Sequence, residues 1–328
     1  MVSRTLKKLI AEHKTLAADI LSKQDGAKTA VVVGGAAGIG GACAKKLAGA
    51  GFSVIAVGRD KPGRAEAVIA ELDAKSAELD PQPKHEFRVC DAFSLKDVKN
   101  CADSIVKDHG SIDAVVLSQG MATTQGFTPT AEGNDEKITL HLWSRVAFSN
   151  QLLPSLRESK MPGGPVVISI LSGGVHGAFK GYKEDPELKN TYSIKNAADM
   201  AGYYNDLIFD VMAKETDNRK INFIHASPGF VNSNWGTEMP FYLKAPIRML
   251  QPLGKSTKEC AEFMADPILK AAAGKPMMER PGGSMEGVFI MDQHAAAGSL
   301  TKQHTEDALE SVWKTAKEVL GRAGINLD

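Results

Sequence analysis

Thr29-Ala30-Val31-Val32-Val33-Gly34-Gly35-Ala36-Ala37-Gly38-Ile39-Gly40-Gly41 is followed by a helical run to Gly51 and then by Phe52-Ser53-Val54-Ile55-Ala56-Val57-Gly58-Arg59-Asp60. The stretch reads as a strand, a glycine turn, a helix and a second strand. Ala30 to Val33 has the length and β-branching of a buried parallel strand. Each glycine answers a separate need. Gly34 lets the chain turn off the strand, Gly38 lets backbone approach a pyrophosphate, and Gly40 lets the helix close on the sheet. Unpaired N–H groups and a partial positive charge at the helix start then face the phosphates. A glycine triplet alone is weak evidence, but here it leaves a strand, opens a helix and leads to a second strand, which is the context the motif requires.

The second strand ends Val57-Gly58-Arg59-Asp60-Lys61, with Arg64 one turn further on. A ribose 2′-hydroxyl is usually met at this strand end by a carboxylate, whereas a 2′-phosphate needs cations. Gly58 stands where the acid would fall, so the site reads as one for NADP(H). Arg59 is the main phosphate partner, and Lys61 and Arg64 are either helpers or solvated loop cations.

A chain of 328 residues with 39 basic and 39 acidic side chains has no charge excess to recruit nucleic acid or an acidic membrane. Cys43, Cys90, Cys101 and Cys260 lack metal or disulfide spacing and read as small buried hydrophobes in a reducing compartment. The eight histidines show no ligand spacing, so no metal is expected. No apolar run is long enough to span a membrane, and Lys7, Lys8, Glu12 and Lys14 interrupt any leader-like segment. The expectation is a cytoplasmic protein. Residues 1–27, with Leu6, Leu9, Ile10, Leu16, Ile20 and Leu21, read as an added amphipathic helix.

The spacing Gly34-x-x-x-Gly38-x-Gly40, with its Gly-Ile-Gly core, resembles the short-chain dehydrogenase/reductase family, although Val33 stands in the place of the usual threonine. The resemblance implies an α/β, Rossmann-type doubly wound parallel sheet of about seven strands. It covers residues 28–295, with helical extensions at 1–27 and 296–328. In such a family member Asp91 binds the adenine edge, though it could equally cap the helix starting near Ser94. Leu117-Ser118-Gln119-Gly120 replaces Asn-Asn-Ala-Gly and keeps the cofactor-side Gly120. His141 falls where the family carries a proton-relaying asparagine, and either relays protons itself or fills space. Ser172, after the strand Val166–Ile170, matches the serine that donates to the substrate oxygen.

Tyr192-Ser193-Ile194-Lys195 departs from the family's Tyr-x-x-x-Lys by one residue. Residues three apart share a helix face, so Lys195 could still lie beside Tyr192, lower its pKa and bind the nicotinamide ribose. Tyr203 and Tyr204, further along the helix, are either substitute acids or packing residues. Pro228-Gly229-Phe230-Val231-Asn232-Ser233 resembles the element whose hydroxyl and Val231 backbone hold the carboxamide. Residues 234–256 correspond to a substrate lid, and their apolar content points to a small hydrophobic substrate.

The favoured function is hydride transfer between NADP(H) and a carbonyl or alcohol. The altered Tyr192/Lys195 spacing and His141 keep two rivals open: an NADP-binding protein without turnover, and a redox-neutral isomerase, lyase or cyclase. The family also forms homo-oligomers through the helices that here span about 134–157 and 195–214.

Overall fold

The computed structural model describes residues 4–23, 28–233, 249 and 251–327. β1 (Lys28–Val33), β2 (Phe52–Gly58), β3 (Glu86–Val89), β4 (Ala114–Leu117), β5 (Val166–Ile170) and β6 (Asn222–Ala226) are joined by a seventh strand, Phe289–Met291. They form one sheet in the order β3-β2-β1-β4-β5-β6-seventh, with every pairing parallel. This is the expected Rossmann-type α/β architecture. The central strands are near-continuous Val, Ile and Ala runs because helices cover both faces and leave no side for polar alternation.

One core joins Val31, Val33 and Leu117 to the helices Leu95–Asp108, Ser144–Gln151, Ile194–Lys214 and Glu306–Gly321. The opposite core joins Ala30, Val32 and Val116 to Gly38–Ala48, Arg64–Ser76, Thr257–Ala273 and the N-terminal helix Arg4–Ser22. Strand order reverses at β1 and β4, and it is outside the carboxyl ends of these strands that such a sheet opens a crevice. Val33 lies in register with Val57 and Leu117, and Ile170 with Ala226. Gly34, Ser118, Leu171 and Ser227 therefore all leave the sheet along one edge.

Two segments differ from the sequence expectation in ways that matter for chemistry. The single helix expected over 134–157 is Glu136–Ile138, a π turn Thr139–Trp143, Ser144–Gln151 and a separate turn Leu153–Arg157. The helix expected to carry both Tyr192 and Lys195 starts at Ile194, because Ser193 is its N-cap and accepts a hydrogen bond from the Asn196 amide. Tyr192 lies two residues before the first helical residue. The three-apart argument for bringing it next to Lys195 thus fails. Most of the lid expected at 234–256, residues 234–248 and 250, lies outside the described residues. Among the described residues no helix is long and apolar enough to cross a membrane.

Candidate active site

The glycine turn has the backbone its sequence demands. Gly34 and Gly38 take φ of 78° and 59°, and open space surrounds the position a Gly38 side chain would fill. A Cβ on Gly40 would lie 2.1 Å from Ser118 Oγ and 2.5 Å from the Gly34 carbonyl oxygen. The helix beginning at Gly38 and Ile39 has no side-chain cap on Ala37, so its first N–H groups are left for an outside acceptor. An anionic group fits this turn by shape and by charge.

Arg59 leaves the end of β2 with its guanidinium 5.7 Å above the Phe93 ring. With Asp91 it lines a groove of about 590 Å³ that also includes Cys90, Asp97, Asn100 and Cys101. Ser94, not Asp91, caps the helix Leu95–Asp108 by accepting from the Asp97 amide. Asp91 Oδ1 accepts the Phe93 amide, and the side chain stays exposed at the groove. Lys61 and Arg64 are on the surface nearby, where Arg64 donates to the Arg59 carbonyl.

Across the sheet edge, Gly120 faces His141, whose Nε2 would lie 3.0 Å from a Cβ at that position. Nε2 accepts the Met121 N–H at 3.0 Å, which places the imidazole proton on Nδ1. Burial pulls the His141 pKa down to about 3, with Arg145 and Lys137 adding to the effect. His141 sits within the π turn, a local widening often found where a helix serves a site.

Ser172 follows β5, and its hydroxyl is buried without a hydrogen-bond partner among the described residues. Pro228, Gly229 and Val231 follow β6. Gly229 has φ 67°, and a Cβ there would overlap the Gln293 amide. Val231–Asn232 pairs in parallel with Lys255–Ser256, which fixes the backbone next to Ser233.

The tyrosines separate by partner. Tyr203 donates to the Gln303 carbonyl and Tyr204 to the Pro186 carbonyl, both as closely packed core residues. The Tyr192 hydroxyl donates to Asp135 Oδ1 at 3.3 Å, and its ring meets Phe127 edge-on and lies under the Lys137 ammonium. Burial and the Asp135 carboxylate raise the Tyr192 pKa. Lys195 points into solvent, with 81% of its side chain exposed, and pairs with Asp199 one turn along. The structure brings the glycine turn, Arg59 and Asp91 to one end of the edge and Gly120, His141 and Ser172 to the middle. It does not bring Lys195 to Tyr192.

The sequence profile of the short chain dehydrogenase family matches residues 28–182, from β1 through the segment after Ser172. In that segment, just under half of its length, this chain matches the short-chain dehydrogenase family. It is similar to Oxidoreductase AN1596 of Emericella nidulans, 28% identical over 63% of this chain and 59% of that one. It is also similar to Oxidoreductase andH of Emericella variicolor, 30% identical over 62% and 58% of the two chains. The chain thus spans just under three-fifths of these relatives' own length. Among solved structures, the 3-oxoacyl-[acyl-carrier protein] reductase of Brucella melitensis in complex with NAD shares the fold. It has a TM-score of 0.54 and 19% identity over 76% of this chain and 92% of that one.

The polar groups beneath Ser172 include a buried charge. Arg145 is fully buried, donating to Ser169 Oγ, the Ile170 carbonyl and the Gln119 carbonyl at 2.5–2.9 Å. None of these partners is a carboxylate, and burial pulls its pKa down to about 9. Ser169 donates on to Asn205, which donates to the His141 carbonyl in the π turn. Next to this chain stand His176, Asp206 and His225, whose ligand-type atoms lie within 4.8 Å of one another. None was identified from the sequence as a site residue. They come from a loop, a helix and a strand spread over fifty positions, and no local spacing announces them.

Proposed function

We propose that the protein is an NADP(H)-dependent oxidoreductase acting on the carbonyl or alcohol of a small apolar substrate. The observation that carries this reading is the uncapped glycine turn opposite Arg59 at the end of β2, where Gly58 stands in the place of a ribose-binding carboxylate. Gly34, Gly38 and Ile39 would hold the pyrophosphate, Arg59 the 2′-phosphate and Asp91 the adenine edge. Pro228, Gly229, Val231 and Ser233 would hold the carboxamide. When bound, the nicotinamide supplies or accepts the hydride.

Ser172, with its buried and unengaged hydroxyl, donates to the substrate oxygen. Of the five tyrosines, Tyr203 and Tyr204 are spent on backbone carbonyls, Tyr182 on the surface acid Asp307, and Tyr242 lies outside the described residues. Tyr192, whose 3.3 Å contact with Asp135 is longer than the hydroxyl contacts of the other three described tyrosines, is the proton donor we assign. The hydroxyl is protonated at neutral pH, as carbonyl reduction requires, and its raised pKa makes it a weaker acid than a donor matched to that pH. Substrate polarity is supported by exposed Val175, three residues after Ser172, by Ile194 at the helix start and by Phe230 after β6.

The test is a fluorescence titration with NADPH and NADH, followed by reduced-cofactor absorbance with a panel of apolar ketones, aldehydes and quinones. NADPH should bind more tightly than NADH, and Arg59→Ala should cost NADPH about 10–100-fold in affinity while sparing NADH. Equal binding of the two cofactors by the wild type would sink the NADP(H) assignment. A second reading, cofactor binding without turnover, is favoured by the solvent position of Lys195. Tight NADPH binding with no carbonyl reduced would select it.

A further inference from the structure

We propose that His176, Asp206 and His225 form a hydrogen-bonded row that positions Ser172 and holds a fixed positive charge behind it, support at the substrate oxygen that the solvent-exposed Lys195 cannot give. The proposal rests on the oxidoreductase reading.

Proton placement follows from the contacts. The Ser172 N–H donates to His225 Nε2 at 3.2 Å, so the His225 proton is on Nδ1, which lies 2.6 Å from Asp206 Oδ1. The other Asp206 oxygen is 2.8 Å from His176 Nε2. His176 Nδ1 is 3.0 Å from the Gly177 carbonyl oxygen. Both nitrogens of His176 face acceptors only, so both carry protons and the ring is an imidazolium. The ring stacks on His225 at 5.7 Å.

The charge lies close to the serine. Ser172 Oγ and the His176 Cβ and Cγ all come within 2.6 Å of the point where a Cβ on Gly202 would sit, so only glycine lets the two side chains share that space. Arg145 adds a second positive charge on the far side of Ser169 and Ile170. Among the described residues the acidic groups facing the row are Asp206 and Asp199; Asp199 accepts the Gly177 N–H and is paired with Lys195. One buried carboxylate therefore faces two buried cations, and an oxygen gaining negative charge in front of Ser172 meets a preset positive field.

His176 cannot touch the substrate itself, since its side chain is 2% exposed and both N–H groups are engaged. It acts through Ser172 as a positioning residue. Burial opposes charging of His176, but Asp206 outweighs it and the pKa is raised; burial lowers that of His225. A divalent metal among the three side chains is the rival arrangement. It would place two further positive charges near Arg145, and the 2.6 and 2.8 Å contacts are already those of shared protons.

The test uses the full-length chain with ¹⁵N-labelled histidine in metal-free buffer at pH 7, comparing wild type, His176→Gln and Asp206→Asn. Ring nitrogen spectra should show an imidazolium at His176 and an Nδ1–H tautomer at His225, with Asp206→Asn removing the first. With a carbonyl that the wild type reduces, His176→Gln should lower kcat about tenfold, less than the roughly 100-fold lost with a donor that touches the oxygen. KM and NADPH affinity should hold within about threefold. Because the His176 pKa is raised, wild-type kcat should fall only as pH climbs past 6.5 through that raised value, and the Gln variant should lack this limb. A neutral His176 at pH 7, resonances that move with Zn²⁺ and return with chelator, or a Gln variant with wild-type kcat and pH profile would each overturn the proposal. A wild type that binds NADPH and reduces no carbonyl instead overturns the oxidoreductase reading, and the spectra still decide the row.

Discussion

Replacing Gly40 by alanine inserts a methyl 2.1 Å from Ser118 Oγ and 2.5 Å from the Gly34 carbonyl, at the place where helix, β1 and β4 converge. The backbone has no flexible group to move aside, so the variant should lose about 1–3 kcal/mol of stability. It should lose NADPH binding as well, because the turn that offers the phosphate site is pushed open. Urea unfolding and a cofactor titration measure the two, and wild-type values in both would mean that the turn does not close on Ser118. Tyr192 and Tyr203 are separated by a similar substitution. Tyr192→Phe should cut turnover about 100-fold or more with little effect on stability. Tyr203→Phe removes a buried hydrogen bond to the Gln303 carbonyl and should cost about 1 kcal/mol without altering kcat. The reverse pattern would transfer the proton-donor role. What could be read at this scale was whatever depends on a few consecutive backbone angles. The glycine turn announces itself within seven positions, whereas Arg145 and the His176–Asp206–His225 row become partners only after β5, β6 and the helix from Ile194 have been packed together.

At the scale of elements, strand and helix order were legible because parallel strands buried on both faces alternate visibly with amphipathic helices. Helix starts were less legible. Ser193 and Tyr192 are adjacent, and only the Ser193 cap decides that the tyrosine falls outside the helix. The π turn at His141 leaves no mark in composition, since one extra residue in a helical run keeps the same apolar content. The N-terminal helix Arg4–Ser22 shows how a polar contact can fix an added element. It lies along Thr257–Ala273, and His13, 1% exposed, reaches Glu262 at 2.8 Å and Asp266 at 3.0 Å. Lys46 and Lys270 complete the cluster on those two acids. Burial opposes a charge on His13, but the two carboxylates outweigh it and raise the pKa above 6.5. A raised folded pKa stabilises fully below the unfolded value and loses that contribution as pH rises through the folded one. His13→Ala should therefore cost about 2–3 kcal/mol near pH 6 and clearly less near pH 9. Urea melts at the two pH values check this, and a pH-independent cost would assign His13 a packing role alone.

The whole molecule closes on itself along one of the two helices expected from the sequence to join subunits. The C-terminal helix Glu306–Gly321 buries Leu309, Val312, Ala316, Val319 and Leu320 against the helix Ile194–Lys214. Polar ties hold it there. Tyr182 and Lys183 both donate to Asp307, and Arg322 reaches Asn134 and Glu187. Asn150 donates to the Asn326 carbonyl, so the helix that begins at Ser144 is tied to the same segment. An apolar helix face already covered from within the chain has little left to offer a second copy. The expected state is therefore a monomer of 35.0 kDa by light scattering at micromolar concentration. Removing residues 304–328 uncovers the stripe beneath, and the shortened chain should self-associate while the full chain does not. The same deletion also frees Tyr182, Lys183 and Glu187, in the connection between Ser172 and Tyr192, so any catalytic loss should appear in KM as well as kcat. A full-length dimer that persists on dilution would overturn this expectation and show that the C-terminal helix does not prevent assembly.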